Sequence, residues 1–424
     1  MPYRPLVAPR AAARLATTAV AAALVVTGAL LPATTVSADE LPLSATDQAA
    51  HDLLTSRSTA DRLGSDLAGM VVDAETGQEI WSRTPREQQM PASTVKLVTA
   101  VNALESFGPA HRFRTRSMTG ETPRRIVLVG GGDPSLSRAD LSRLAVRTAA
   151  AMTAQGMRRV RVDVDDTLFP APTNAYGWRS TYVISDVSPV RALVVDQHRS
   201  WDTALDAGRV FARLLENQGL RVRAVARRTR PAGSGVIARV FGDDLATQVA
   251  AMLRTSDNDV AEGLHRLVAL QSGHPATWEG AAEAQVTGLA RLGITVAPGS
   301  LYDGSGLSRR NRLRPTEVVA VLRAAFDPAH PSLGGLLQGS LALAGVSGTL
   351  APDYLRFVTR PTSCAAGLIE AKTGSLMGAI ALSGLARGAD GRLKVFSFLL
   401  NRVPATLATR RAVDKLAATV TGCW

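Results

Sequence analysis

Lysine is scarce in this chain: of its 48 basic residues 44 are Arg, and the four Lys stand at positions 96, 372, 394 and 415. Arg keeps its proton in any protein environment, whereas a desolvated Lys amine can lose it. A position that retains Lys against this bias is a candidate for work that needs a neutral amine, and Lys96 and Lys372 come first. Cysteine is almost absent as well. Cys364 and Cys423 are too few for a disulfide scaffold and are not spaced as zinc ligands. In an oxidising compartment the two can pair, which would tie the C-terminal tail to the body and stabilise it by roughly 4 kcal/mol through loop entropy. The six His have no His-Glu-x-x-His or related spacing, so a zinc peptidase is disfavoured and neither metal nor cofactor is called for. Aromatic residues make up only 4% and no nucleic-acid motif occurs, so the net charge of +12 points to cell wall or anionic lipid rather than nucleic acid. The bland alternative is a solvated Arg-rich face.

With 46% hydrophobic residues over 424 positions, the chain can bury a large core and is expected to fold as more than one domain. Residues 1–38 read as a secretory signal. Arg4, Arg10 and Arg14 give a basic start, an apolar run extends from Leu15 to Leu31, and Val36, Ser37 and Ala38 form a small-residue cleavage site. Export with cleavage after Ala38 is expected, which lowers the formal charge from +12 to +9 by removing three Arg. An uncleaved anchor is the rival, since about 17 apolar residues is the lower limit for spanning a bilayer.

After the signal, residues 45–63 look helical, and 67–73 and 78–82 alternate as two strands around a turn at Glu75, Thr76 and Gly77. A buried helix is expected from Pro91 to Glu105. Short apolar strands then dominate from about 112 to 239, read as an inserted, mainly β accessory unit (112–242). Helices follow from Asp243, then three strands near 368–373, 377–386 and 392–399, and a closing helix over 405–419. The expected fold is mixed α/β, with one sheet that draws strands from both chain ends, so that 39–111 and 243–424 form one domain around the insert.

Lys96 lies three residues after Ser93, so on a helix the amine and the hydroxyl share one face about 5–6 Å apart at Cβ. Serine is a weak nucleophile until a base takes its proton, and a buried Lys of lowered pKa can do so without His. A lone Ser-x-x-Lys is weak evidence, because Ser before a helix is often only a cap. Two further motifs follow in order: Ser256-Asp257-Asn258, and Lys372-Thr373-Gly374-Ser375 on an expected strand. Taken singly, Ser256 could be a cap, Lys372 a surface charge and Gly374 a bulge residue.

Together the three motifs resemble the penicillin-recognising serine enzymes, the β-lactamases and penicillin-binding proteins. Within that group the chain looks like the class C low-molecular-mass penicillin-binding proteins, the D-alanyl-D-alanine carboxypeptidase/endopeptidase family. The segments Gly130 to Pro134, Val164 to Phe169, Asp303 to Arg309, Ser347 to Leu350 and Ile369 to Leu376 carry that likeness, as does the insert of about 160 residues between Lys96 and Ser256. The resemblance implies a β-lactamase/transpeptidase-like fold, with Ser93 as nucleophile and Lys96 as its base. Ser256 would relay a proton and Asn258 would orient Lys96 and the substrate amide. Lys372 and Thr373 would hold the terminal carboxylate, Gly374 would leave room for substrate along the strand, and the N–H groups of Ser93 and Ser375 would form the oxyanion hole. Peptidoglycan stem peptides are the implied substrates and β-lactams the covalent inhibitors, with peripheral association to membrane or wall left open. Asp165 is a weaker thought, a contact for a cationic side chain. A β-lactamase or esterase on the same scaffold, or a catalytically silent wall-binding protein, are the competing readings.

Overall fold

The computed structural model describes residues 42–334 and 339–423; the expected signal, 1–38, falls outside them. Its main sheet draws on both ends of the chain. β1 (Leu67–Asp73) and β2 (Glu79–Arg83) form the N-terminal hairpin, and β9 (Ile369–Leu376), β10 (Ala379–Arg387) and β11 (Leu393–Asn401) form a C-terminal meander. With the short β8 (Ala342–Leu343) they make a six-stranded antiparallel sheet in the order β2-β1-β11-β10-β9-β8. Both faces are covered, so successive side chains bury on opposite sides and the strands read as nearly continuous apolar runs. Val71, Phe396 and Leu382 face a layer formed by α1 (Ala45–Arg57) and α9 (Leu407–Val420). Val72, Val395 and Leu385 face the opposite layer, built from α2 (Val95–Phe107), α5 (Leu245–Thr255), α6 (Asn258–Gln271), α7 (Trp278–Arg291) and α8 (Pro315–Arg323). Among the described residues no helix is long and apolar enough to cross a membrane.

Between α2 and α5 lies a second, five-stranded sheet in the order β6-β5-β4-β3-β7. Its strands are β3 (Arg112–Thr119), β4 (Arg125–Val129), β5 (Arg159–Asp165), β6 (Arg221–Arg227) and β7 (Val236–Asp244). The expectation of a mainly β insert captures these strands and passes over two long helices, α3 (Arg138–Ala154) and α4 (Thr203–Glu216). They are the crossovers that make β4, β5 and β6 parallel, and they cover one face of the sheet. The signals for α3 were present: a capping box between Ser137 and Asp140, then a buried stripe at Leu141, Leu144, Ala145 and Thr148.

Candidate active site

Ser93 sits in a one-turn 3-10 segment, Ala92–Thr94, that leads directly into α2. Its neighbour Ala92 has a left-handed φ of 48°, a strained conformation for a residue with a Cβ. Two glycines grip this turn. A Cβ on Gly306 would lie 2.0 Å from the Ala92 carbonyl oxygen, and one on Gly374 would lie 2.8 Å from that of Pro91. Only glycine lets the loop after Asp303 and strand β9 come so close, and that closeness leaves Ser93 at the junction of both. Ser93 remains partly accessible while Ala92, Thr94 and Lys96 are buried.

One turn along, the Lys96 amine donates to Ser93 Oγ at 3.2 Å, to Asn258 Oδ1 at 2.7 Å and to the Ser305 carbonyl at 2.6 Å. Burial pushes this amine down to about pH 8, although the carboxylates of Glu262, Asp303, Asp257 and Asp259 pull the other way. It is therefore a base that is free in part near neutral pH. Ser256 and Asn258 hold the joint between two helices: Ser256 ends α5 in the left-handed region with φ 63°, and Asp257 caps α6 by accepting from the Val260 N–H. Ser256 Oγ accepts from the buried Lys372 amine at 2.8 Å, which also donates to the Thr373 carbonyl at 2.8 Å. Burial, reinforced by the charge of Lys96, lowers the Lys372 pKa well below that of free lysine.

Thr373 Oγ1 lies 2.8 Å from Thr349 Oγ1, and the exposed Ser375 follows on β9 opposite Ile380 of β10. β8 pairs with β9 only at Glu370 and Ala371. The edge of β9 from Lys372 to Leu376 is thus open among the described residues, beside the Ser93 turn. All eight sequence-nominated residues converge on this one region. The remaining lysines do other work. Lys394 is buried and pairs with the buried Asp47 and Asp73 and with the exposed Asp390, and Lys415 is exposed on α9. The Asp165 carboxylate accepts from the Thr167 N–H and hydroxyl and from the Arg230 N–H, and lies 3.6 Å from the Arg230 guanidinium. Cys364 and Cys423 form a disulfide with Cα atoms 5.9 Å apart.

A family model described as D-Ala-D-Ala carboxypeptidase 3 (S13) matches residues 50–200 and 196–420. The chain belongs to this family of serine peptidases. A carboxypeptidase of Mycobacterium tuberculosis is 35% identical over 84% of this chain and 80% of its own length. The D-alanyl-D-alanine carboxypeptidase of an Actinomadura strain is 29% identical over 81% of this chain and 79% of its own. The fold is that of penicillin-binding protein 4 from Haemophilus influenzae, with a TM-score of 0.73 at 20% identity, over 87% of this chain and 98% of that one.

In this S13 chain several groups at the site were not nominated from sequence. Glu262 is fully buried behind Lys96 and accepts from the Gly304 and Ser305 N–H groups at 3.1 and 2.8 Å, fixing the loop whose Ser305 carbonyl accepts a hydrogen bond from Lys96. Burial and the charge of Asp303 push Glu262 up to about 7. Its signal was its place four residues after Asn258, on the same face of α6. Asp303 is held by Trp178 Nε1 at 2.7 Å and by the N–H groups of Gly306 and Ser308. Nothing local in the sequence links Trp178 to a loop 125 residues away.

Proposed function

We propose that the chain is an exported D-alanyl-D-alanine carboxypeptidase/endopeptidase that hydrolyses peptidoglycan stem peptides or cross-links through an acyl-enzyme on Ser93 and is acylated by β-lactams. Its signal (1–38) is removed on export to the cell-wall space, and 112–242 is an accessory unit of a catalytic domain built from 39–111 and 243–424. The observation that carries the reading is the buried Lys96 amine within 3.2 Å of Ser93 Oγ, with a pKa lowered to about 8.

Ser93 Oγ attacks the carbonyl of the penultimate D-alanine as Lys96 accepts the hydroxyl proton. The resulting oxyanion is met by the N–H groups of Ser93 and Ser375. When the C–N bond breaks, the proton that Lys96 took from Ser93 passes to the leaving amine through Ser256, whose Oγ is held by Lys372 at 2.8 Å, and Lys96 is neutral again. Water then attacks the ester as the again neutral Lys96 accepts its proton, and Lys96 returns that proton to Ser93 Oγ as the acyl–oxygen bond breaks, releasing the acid and regenerating the hydroxyl. The open edge of β9 supports substrate lying as an added strand, with Lys372 and Thr373 beside its terminal carboxylate. Asn258 orients Lys96 through Oδ1 and presents its amide to the substrate.

The test is the intact mass of the protein after incubation with benzylpenicillin. An adduct of one penicillin in the wild type that is lost in Ser93→Ala is expected. Absence of an adduct without penicillin turnover would overturn the acyl-enzyme; rapid turnover would favour a β-lactamase on the same scaffold.

A further inference from the structure

The segment from Tyr182 to Ser188, within the 112–242 stretch, crosses to the catalytic residues. The Asp186 carbonyl accepts from Asn258 Nδ2 at 2.9 Å, while Asn258 Oδ1 accepts from Lys96 at 2.7 Å. A primary amide has one accepting and one donating end. A carbonyl on the Nδ2 side therefore dictates that Oδ1 faces the lysine, since rotation by half a turn would set two oxygens against each other and point N–H groups at the amine.

Asp186 is itself clamped. The Asp259 carboxylate, next to Asn258 in the chain, accepts from the Ser188 N–H at 2.7 Å and from Arg199 Nε at 3.0 Å. Arg199 Nη1 in turn donates to the Ser185 carbonyl at 2.7 Å. Inside this frame the turn closes through Ile184 N–H to Val187 O and Asp186 N–H to Tyr182 O, both at 2.8 Å. Ile184 has a φ of 75°, a conformation a β-branched residue adopts only when its surroundings enforce it.

We infer that Arg199 and Asp259 are positioning residues of the catalytic site: they hold the 182–188 segment so that the Asp186 carbonyl sets the orientation of the Asn258 amide, and with it the hydrogen bond that Lys96 donates. The inference rests on Lys96 being the base for Ser93, as proposed above.

The groups that bear on Lys96 are the carboxylates of Glu262, Asp303, Asp257 and Asp259 and the amine of Lys372. Against that background Arg199→Ala separates two effects of opposite sign. Removing a cation by itself favours a protonated Lys96 and moves the acid limb of the acylation profile to higher pH. Releasing the amide takes away an acceptor that favours the ammonium and moves the limb to lower pH. Arg199→Lys keeps the charge but cannot bridge Ser185 and Asp259 with one fork.

The experiment is the second-order rate of acylation of the purified chain by benzylpenicillin from pH 6 to 10, for wild type, Arg199→Ala and Arg199→Lys, with thermal unfolding followed in parallel. A plateau rate at least tenfold lower in Arg199→Ala, an acid limb displaced to lower pH, and the same displacement in smaller measure in Arg199→Lys are expected. An unmoved or upward-moving limb, or a loss of thermal stability with wild-type acylation, overturns the positioning role. If Arg199→Ala does not fold, Arg199→Lys alone decides by the direction of its limb. Absence of any acylation in the wild type would instead refute the reading on which the inference rests.

Discussion

If Lys96 is the base, the acylation rate must follow its neutral fraction. A lysine with a pKa of about 8 is neutral in about one molecule in eleven at pH 7 and in about ten of eleven at pH 9. The sign follows from burial, which lowers the pKa, so the active form appears as pH rises through about 8 and is lost below it. The second-order rate for benzylpenicillin, read as adduct mass against time, should therefore climb roughly tenfold from pH 7 to pH 9. Glu262 supplies an internal control. Its charge is the strongest influence holding the lysine up against desolvation, and its carboxylate secures the loop that carries the Ser305 carbonyl. Glu262→Gln removes the charge with little change of shape, so the acid limb should move below pH 8 while the plateau falls, because one loop N–H loses its acceptor. A flat profile between pH 7 and pH 9, or a limb that stays in place or rises in Glu262→Gln, would refute the assignment of Lys96 as proton acceptor.

Gly374→Ala places a methyl 2.8 Å from the Pro91 carbonyl oxygen and forces β9 away from the Ser93 turn; acylation by benzylpenicillin should drop by about a hundredfold, the scale expected of a misplacement near 1 Å. Lys394→Met leaves the buried Asp47 and Asp73 without their shared cation and should destabilise the protein by about 3–5 kcal/mol in denaturant unfolding. The folded fraction of that variant should still acylate at the wild-type rate. Reducing the Cys364–Cys423 bridge, which closes a loop across a separation of 59 residues, should lower stability by up to about 4 kcal/mol by the same assay, with the acylation limb unmoved.

What the sequence made legible was whatever is encoded within a few residues. The hairpin of β1 and β2, the Ser93 turn entering α2 and the three C-terminal strands all carry local periodicity or turn chemistry. The scarcity of Lys singled out positions 96 and 372, whose buried amines lie against Ser93 and Ser256. Lys394 shows the limit of that argument, since a buried cation among three carboxylates is retained just as firmly for structural reasons. Where reading from sequence fell short, the information was long-range. α3 is the exception, since its capping box and apolar stripe are local and were passed over, whereas the Trp178 to Asp303 and Asp186 to Asn258 contacts join segments that only the completed fold brings together.

The pairing of β1 with β11 has a consequence for how the molecule is made. Leu67 lies against Leu400 and Asp73 against Lys394, so the N-terminal hairpin has no place in the sheet until nearly the whole chain is available. Such non-local closure is slow, and during the wait the edge of β1 that β11 will cover stays exposed with its apolar side chains. A chain that stalls late in synthesis, short of residue 393, would hold all eight candidate site residues from Ser93 to Ser375 and still lack the strand that joins the two ends of the sheet. The two halves of the main sheet therefore share one frame only once β11 has been laid between β1 and β10.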